Sequence, residues 1–465
     1  VILMLILVIY LVNYYKSPAV TWDVWIATYV SWVLGFAGTI LLPFDMAVTL
    51  AHQDDNPYYH TLNSVWSAIY WSTFALAWIL LPIQMQYHMS GEFTFGRKLW
   101  EAVKANLYSY LAGFVMLLIF IIYLLATKGS TQTFHFLAFM MAMGNTYGVI
   151  LIILLMGNGL VALPRRLWRM GNSKTELQRL YVMAISVESA FHDARFELED
   201  CETQVKNTIE ALELSESDRS LKPLGETIKK LVDNFEFAFR SNSNKFRKVK
   251  AEEKKPVTEK SQLVALQARV KTAQLRVKSS ERRWRNLLIQ VKFLQSLLDG
   301  SLRPEESGWC GLRTDAVPRA QSSTGFCSNI AYQFLVTYDW CRYFFRKYLF
   351  SFFCRLLSLL CAVASGLIFY CELGMTSNVQ SPIGDSIVGL SNTGAGVFIV
   401  QAISFGYLFY MSLCTFWSLF KINLGWTFTL QGPHQSPSTS LLFNATYLSR
   451  LQFSLGYNFL LFLNS

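Results

Sequence analysis

The chain has 465 residues, of which 52% are hydrophobic, 15% aromatic and only 15% charged. This composition excludes an ordinary soluble protein, because soluble domains carry about 25% charged residues. The formal net charge is +10, and all of it lies in the segment 164–347, which holds 33 of the 41 Lys and Arg residues and 23 of the 31 Asp and Glu residues. The sequence therefore predicts a membrane protein with one large polar loop.

Eight apolar stretches predict membrane-spanning helices, which need about 20 residues to cross the hydrocarbon. They are 1–15, 22–50, 62–83, 105–126, 134–163, 348–371, 394–420 and 441–463. The first stretch is already apolar at Val1 and the last ends next to Ser465, so we expect that the natural chain continues at both ends and that a ninth helix follows. The predicted fold is all-α: a polytopic transmembrane helix bundle, with helices 1–5 in 1–163, a coiled-coil loop in 164–347 and helices 6–8 in 348–465.

Most basic residues next to these stretches fall on one side of the membrane if the helices alternate in direction, and Lys128 is the chief basic residue on the other side. Those on the first side are Lys16, Arg97, Lys98, Lys104, Arg165, Arg166, Arg169, Arg346, Lys347 and Lys421. Because Lys and Arg concentrate in cytoplasmic loops, the loop 164–347 is predicted to be cytoplasmic. The pattern fits a plasma membrane and a lysosomal or vesicular membrane equally well.

Two segments of the polar loop repeat apolar residues every three and four positions over five heptads, which is the pattern of a coiled-coil seam. The arms are 177–212 and 263–298, and at 1.5 Å of rise per residue each spans roughly 54 Å. The seam includes Leu180, Val187, Phe191, Leu198, Leu266, Val270, Val277, Trp284, Leu287 and Leu294. Equal arm lengths favour an antiparallel hairpin within one chain. Pairing with the arms of another chain, or two amphipathic helices on the membrane surface, are the alternatives.

Motifs of the common enzyme classes do not occur in the sequence: there is no P-loop, HExxH, GxSxG or GxGxxG. The six His residues have no metal-ligand spacing, and none of the eight Cys residues forms a CxxC pair. We therefore predict a non-enzymatic protein without a metal or another cofactor. Positive charge in the loop is mixed with acidic residues, so solvated helix faces and anionic lipid explain it better than nucleic acid does.

Five polar residues within or at the ends of the predicted spans form a candidate intramembrane site, because a polar group in hydrocarbon is costly unless it is paired or faces water. They are Asp45, Asn145, Asn158, Glu372 and Arg450. Asp45 and Glu372 lie near the ends of their spans, where hydration at the headgroup level is the alternative. The two Asn residues stand beside glycines and suit helix packing better than ligand binding. Arg450 lies inside the eighth span and requires a partner such as a carboxylate or a helix end.

Seven short motifs are spread over most of the chain: LPFD at 42–45, YWSTF at 70–74, GEFT at 91–94, GNTYG at 144–148, LPRRLW at 163–168, YMSLCTFWSLFK at 410–421 and YNF at 457–459. With these motifs the chain resembles the limb-region-like (LMBR-like) membrane proteins, and most closely the branch of LMBR-domain-containing protein 2 and its plant relatives. The resemblance implies about nine spans and a large cytoplasmic coiled-coil loop after the fifth. Members of the family have been linked to lipocalin uptake, to lysosomal cobalamin export and to signalling by G-protein-coupled receptors.

Three functions remain open at this level. The first is a receptor or scaffold that contacts membrane lipids through its spans and docks a partner protein, in signalling or trafficking, through the cytoplasmic coiled coil. The second is a transport protein or transporter accessory that binds a small or lipophilic ligand at the polar residues of the spans. The third is a structural subunit of a larger membrane complex.

Overall fold

The structure is a computed structural model that describes residues 2–51, 58–128, 136–214, 221–235, 259–299, 344–376, 397–421, 428–430 and 432–464. Its elements are α1 Ile2–Tyr15, α2 Trp22–Ala51, α3 Tyr58–Ala75, a π-helical segment Leu76–Leu80, α4 Leu81–Met89, α5 Phe95–Lys128, α6 Phe136–Met170, α7 Ser173–Leu214, α8 Lys222–Asp233, α9 Lys260–Asp299, a second π-helical segment Phe345–Leu349, α10 Phe350–Thr376, α11 Val397–Lys421 and α12 Ser438–Asn464. Within these ranges the regular structure is helical, and the predicted all-α class is confirmed.

Within the described residues, six helical spans are long and apolar enough to cross a membrane. They are Trp22–Met46, His60–Met89, Phe95–Tyr123, Thr146–Met170, Phe350–Gly374 and Phe398–Lys421. The first predicted span corresponds to the shorter apolar helix Ile2–Tyr15. The eighth corresponds to α12, whose many Ser, Thr, Asn and Gln residues lower its hydropathy. The count of eight spans and the ninth helix remain predictions. The stretch 301–328 is rich in Gly, Ser, Pro and charged residues and predicts a flexible linker, but it lies outside the described residues.

Helix α7 begins immediately after α6 because the chain turns at Gly171 and Asn172. The side-chain oxygen of Asn172 accepts hydrogen bonds from the backbone N–H groups of Lys174 (3.2 Å) and Thr175 (3.4 Å). An Asn in this position satisfies N–H groups that have no partner inside the helix. The polar loop therefore enters its first arm without a spacer.

The chain divides into two compact units. The first comprises Val1–Gly159, Ala194–Ser279 and Tyr370–Ser465, and the second comprises Leu160–Asp193 and Ser280–Phe369.

Helix α12 forms the centre of the membrane helices in the first unit, where it packs against α2, α4 and α11. Its side chains are buried around most of the helix, including Leu441, Leu448, Leu455 and Phe459, which are fully covered. A helix enclosed by other helices does not need a lipid-facing apolar surface. For that reason α12 tolerates polar residues that a lipid-exposed span would exclude.

Small polar side chains connect α2 to α12. The Ser31 hydroxyl lies 2.7 Å from the Ser449 hydroxyl and donates to the carbonyl of Ala445 at 2.9 Å. The Thr39 hydroxyl donates to the side-chain oxygen of Gln452 at 3.2 Å. Close backbone approach and hydrogen bonds of this kind hold helices together where water does not drive apolar association.

Within the first unit, the later part of α7 pairs with the earlier part of α9 in antiparallel orientation. Arg276 of α9 donates to Glu197 of α7 at 2.6 Å, and Arg269 donates to Gln204 at 3.2 Å. The buried core of this pair, which also takes in α8, consists of Ala194, Leu198, Cys201, Val205, Leu212, Leu221, Ile228, Val232, Phe235, Leu263, Leu266, Val270, Ala273 and Val277. The spacing of Ile228, Leu231, Phe235 and Phe239 predicts a helical piece from Glu226 to about Lys248. Helix α8 covers the core with Ile228 and Leu231 but ends at Asp233, Phe235 just beyond it belongs to the same core, and 236–248 lies outside the described residues.

The second unit contains the other part of the same two helices. Its core consists of Leu180, Leu287, Val291, Phe293, Leu294 and Leu297, with Leu177, Ala184, Val187 and Trp284 packed against it. The last turns of α6 contact α10 in this unit, where the hydroxyl of Ser358 donates to the carbonyl of Pro164 at 2.8 Å. That carbonyl belongs to the LPRRLW motif.

Candidate functional sites

Arg450, near the middle of α12, has a backbone carbonyl and aromatic rings as its partners. Its guanidinium donates to the carbonyl of Ala77 at 3.1 Å and lies 4.1 Å from the ring centre of Trp78 and 5.8 Å from that of Tyr447. A guanidinium over an aromatic face is attracted by the ring quadrupole, more strongly where water is excluded. The partner that the sequence required for Arg450 is therefore not a carboxylate.

The carbonyl of Ala77 is available because of the π-helical segment and the proline that follows it. The backbone N–H of Leu81 donates to Leu76, five residues back. Pro82 has no N–H, so it can donate neither to Ala77, five residues back, nor to Trp78, four residues back. Side chains of other helices bind both carbonyls instead: Arg450 binds that of Ala77, and the hydroxyl of Tyr110 donates to that of Trp78. Prolines in membrane helices are tolerated when neighbours bind the freed carbonyls in this way.

A cavity of about 600 Å³ lies beside Arg450, between α4, α5 and α12. Apolar side chains form most of its wall, among them Trp78, Phe114, Leu117 and Phe443, and the polar atoms are those of Arg450 and a few uncharged groups. Ligand cavities in proteins have this size and this balance of apolar surface to a few polar groups. The arrangement can therefore enclose an apolar molecule with one anionic end.

The other predicted polar residues do not line this cavity. Asp45 accepts a hydrogen bond from the indole N–H of Trp66 at 3.1 Å, and Glu372 accepts one from Asn458 at 2.7 Å. Asn158 donates to the hydroxyl of Ser418 at 3.2 Å. The side chain of Asn145 lies outside the described residues. Each described member thus has a different hydrogen-bond partner, and a ligand-binding role of the five residues stays a prediction.

A short loop between α4 and α5 contacts α9 within the first unit. A Cβ at Gly91 would overlap the backbone carbonyl oxygen of Val264, so this close approach requires a glycine. The Lys271 ammonium donates to the carbonyl of Ser90 at 3.3 Å, and Phe93 packs against the α7–α9 core. The GEFT motif therefore attaches the helical arms to the pair of membrane helices that forms two walls of the cavity.

The position of Lys271 in this contact disfavours the charged form of its side chain. Burial lowers the pKa of its ammonium, and the nearby charge of Lys98 lowers the pKa further. Its hydrogen bond to the Ser90 carbonyl offsets part of this effect.

Helix α7 has a second apolar face in addition to the buried seam. Val182 and Ile185 are 73% and 74% exposed, and Tyr181 beside them is 45% exposed. On the opposite side of the helix Leu180 is buried and Ala184 packs against the core. Neighbouring exposed apolar side chains on one helix face are typical of interaction surfaces.

All the seam residues named from the heptads are at least partly covered. Leu198, Leu266, Val270 and Val277 are buried in the first unit, while Leu180, Leu287 and Leu294 are buried in the second. Phe191 is buried, and Val187 and Trp284 are partly buried against the second core. Supercoiling of the two arms remains a prediction. Among the described residues, no group of three or more His, Cys, Asp or Glu side chains is arranged to hold a metal ion.

Sequence reasoning missed the contributions of Pro82, Tyr110 and Gly91. In the sequence Pro82 stands at the end of the predicted span 62–83, and nothing there indicates that its missing N–H determines where Arg450 binds. Tyr110 looked like one aromatic residue among many in α5. Gly91 belongs to a motif that the resemblance already singled out, and a glycine next to a span boundary was the available signal.

Three known proteins are similar in sequence to this chain over most of its length. The chain is 22% identical to the G-protein coupled receptor-associated protein LMBRD2 of Caenorhabditis briggsae, over 97% of this chain and 71% of that protein. It is 25% identical to the LMBR1 domain-containing protein 2 homolog B of Dictyostelium discoideum, over 93% of this chain and 55% of that protein. It is 24% identical to the human G-protein coupled receptor-associated protein LMBRD2, over 94% of this chain and 66% of that protein. No solved structure matches.

The chain thus spans between about half and about 70% of the length of these relatives. The sequence profile described as LMBR1-like membrane protein matches residues 1–465, the whole of the chain. The resemblance drawn from the seven motifs is confirmed, and this protein belongs to the LMBR1-like membrane protein family.

Proposed function

We propose that this protein is a non-enzymatic membrane protein that associates with a G-protein-coupled receptor and contacts it through the arms α7 and α9. The arms are paired as an antiparallel coiled coil on the cytoplasmic side of the membrane. Two relatives are named as receptor-associated proteins, which supports the class of partner. The basic residues beside the spans support the cytoplasmic location.

The exposed apolar face of α7 is the observation that carries the proposal. Exposed apolar residues scattered singly are ordinary, but Tyr181, Val182 and Ile185 adjoin one another on one face. The seam on the other side of the helix is already occupied by the contact with α9. The hydroxyl of Tyr181 accepts a hydrogen bond from Gln295 of α9 at 2.6 Å, so Tyr181 lies at the edge of the pair. Val182 and Ile185 are available to a second protein without opening the pair.

Because α7 and α9 are paired, the arms are rigid enough to present this face to a partner protein. Hydrophobic burial along both arms and cross-helix pairs such as Arg276 with Glu197 fix the helices relative to each other within each unit. A preordered helix face loses less conformational entropy when it binds than a disordered segment does. Such a surface is therefore suited to binding another protein rather than to catalysis.

The proposal is tested by recovering receptors with the full-length protein in mild detergent after crosslinking in cells. We expect the double variant Val182→Glu with Ile185→Glu to recover at least tenfold less receptor than the unmodified protein. The control is Thr203→Glu with Thr227→Glu, which adds the same charge at two other exposed positions and should leave recovery unchanged. Equal recovery by both double variants would exclude the α7 face as the docking surface.

A larger change tests the arms as a whole. A variant lacking residues 177–298 should lose the receptor while its membrane helices still insert. If the receptor is still recovered with this deletion, then the contact is made by the membrane helices and the proposed role of the arms is wrong.

A further inference from the structure

We propose that the cavity beside Arg450 binds a single-chain amphiphile with a carboxylate head, such as a long-chain fatty acid taken up from the bilayer. This ligand site is separate from the proposed docking face of α7. It rests on the charge of Arg450, the apolar wall, the depth of the cavity and its access from the lipid side.

The charge of Arg450 is the first argument. A guanidinium has five N–H donors, and the described part of the chain provides one hydrogen-bond acceptor, the carbonyl of Ala77. The Nε atom is buried without a hydrogen-bond partner. No described carboxylate forms an ion pair with this side chain. A positive charge surrounded by apolar groups is costly, and an anion in the cavity would remove that cost.

The depth of the cavity selects the kind of anion. Arg450 lies near the middle of the predicted span 441–463, and the α2 residues that contact its helix, Ser31 and Thr39, lie on either side of the middle of the predicted span 22–50. A phospholipid keeps its phosphate at the membrane surface, far from this level. The head of a single-chain carboxylate is small, so it can reach Arg450 without bringing a bulky headgroup into the hydrocarbon. The planar guanidinium also matches the two oxygens of a carboxylate.

The walls and the entrance match the rest of such a molecule. Phe114 and Tyr110 of α5 line the cavity and are 48% and 40% exposed. Helix α5 is apolar and exposed over most of this stretch, including Leu111, Val115 and Met116, which is the surface of a lipid-facing helix. A ligand would therefore enter sideways from the hydrocarbon, with its chain among the aromatic side chains and its head at Arg450.

Two variants change the cavity in independent ways. Arg450→Gln removes the charge but keeps an N–H₂ group that can donate to the carbonyl of Ala77. Gly113→Leu fills the cavity from α5, and a Cβ at Gly113 meets no atom within 4 Å, so the helix itself is not strained. The matched control is Gly406→Leu on α11, where a Cβ also meets nothing within 4 Å and which does not line the cavity.

The experiment measures binding of radiolabelled oleate and of uncharged oleyl alcohol to the full-length protein in phosphatidylcholine nanodiscs. We expect saturable oleate binding that is at least tenfold tighter than oleyl alcohol binding. Arg450→Gln should abolish this preference, Gly113→Leu should weaken oleate binding at least tenfold, and Gly406→Leu should bind as the unmodified protein does.

Three outcomes would overturn the proposal: oleate and oleyl alcohol binding equally well, oleate binding unaffected by Gly113→Leu, or phosphatidate competing as strongly as unlabelled oleate. The last result would assign the cavity to a phosphate headgroup. If Arg450→Gln fails to fold, the proposal still stands or falls on Gly113→Leu and on the comparison of oleate with oleyl alcohol.

Discussion

The α7–α9 pair and the α2–α12 pair are each held together by contacts between two helices, but the contacts differ in their chemistry. The first buries aliphatic side chains such as Val270 and Val277. The second brings backbones close and joins them through Ser31, Thr39 and Ser449. In water, association is driven by removing apolar surface. Lipid is itself apolar, so helices within it rely on close packing and hydrogen bonds. The contrast shows which solvent each pair is built for.

The largest expected effect follows from placing a charge in the aliphatic seam. Val270 is fully buried, so Val270→Asp should destabilise the α7–α9 pair by more than about 4 kcal/mol, because a carboxylate there has no partner. Hydrogen exchange of residues 260–299 measures the effect. The control is Val182→Asp, the same substitution at an exposed position, where a change within about 0.5 kcal/mol is expected. Unchanged protection in Val270→Asp would mean that this seam is not the contact that holds the arms.

A smaller effect is expected from separating two membrane helices at a glycine. A Cβ at Gly159 would overlap the carbonyl oxygen of Cys414, whereas a Cβ at Gly157 meets nothing within 4 Å. Gly159→Leu should therefore destabilise the bundle by about 2–3 kcal/mol through overpacking, and Gly157→Leu should not. Thermal unfolding in nanodiscs compares the two variants. Equal midpoints would show that α6 and α11 do not approach as closely as described.

The smallest effect is expected from removing one hydrogen-bonding group between membrane helices. Ser31→Ala eliminates the contacts with Ser449 and with the carbonyl of Ala445. Double-mutant cycles on membrane helices average about 0.6 kcal/mol for such bonds, so the unfolding midpoint should shift only slightly. A loss above about 2 kcal/mol would indicate that polar bonds, rather than close packing, dominate the α2–α12 contact.

The contrast also explains what could be predicted from the sequence. Val270 and Leu266 were found because a seam in water repeats every seven residues, and this period is visible without any structure. Apolar length predicted the spans in the same way. The partner of Arg450 could not be found, because it is the backbone carbonyl of Ala77, and backbone carbonyls leave no mark in a sequence. Its availability depends on a π-helical segment and on Pro82, which act together only in three dimensions.

The same holds for the scattered polar residues. Asp45 and Glu372 belong to the same candidate site as Arg450 because each is an ionisable residue in or beside an apolar stretch. Their hydrogen-bond partners, Trp66 and Asn458, come from other helices. Which polar residues share a cavity depends on how the helices are arranged, and one sequence does not contain that information.

The carbonyl of Ala77 has no partner within its own helix, and this has a consequence for biosynthesis of the protein. Arg450 follows Ala77 by 373 residues, so the helix that carries Pro82 enters the membrane long before its partner has been synthesised. Tyr110 arrives early, 32 residues after Trp78, and binds one of the two carbonyls as soon as α5 is in place. The carbonyl of Ala77 gains its partner Arg450 only after α12 has been synthesised. This hydrogen bond can therefore form only late in biosynthesis, and a chain that stops before α12 lacks the side chain that binds the carbonyl of Ala77.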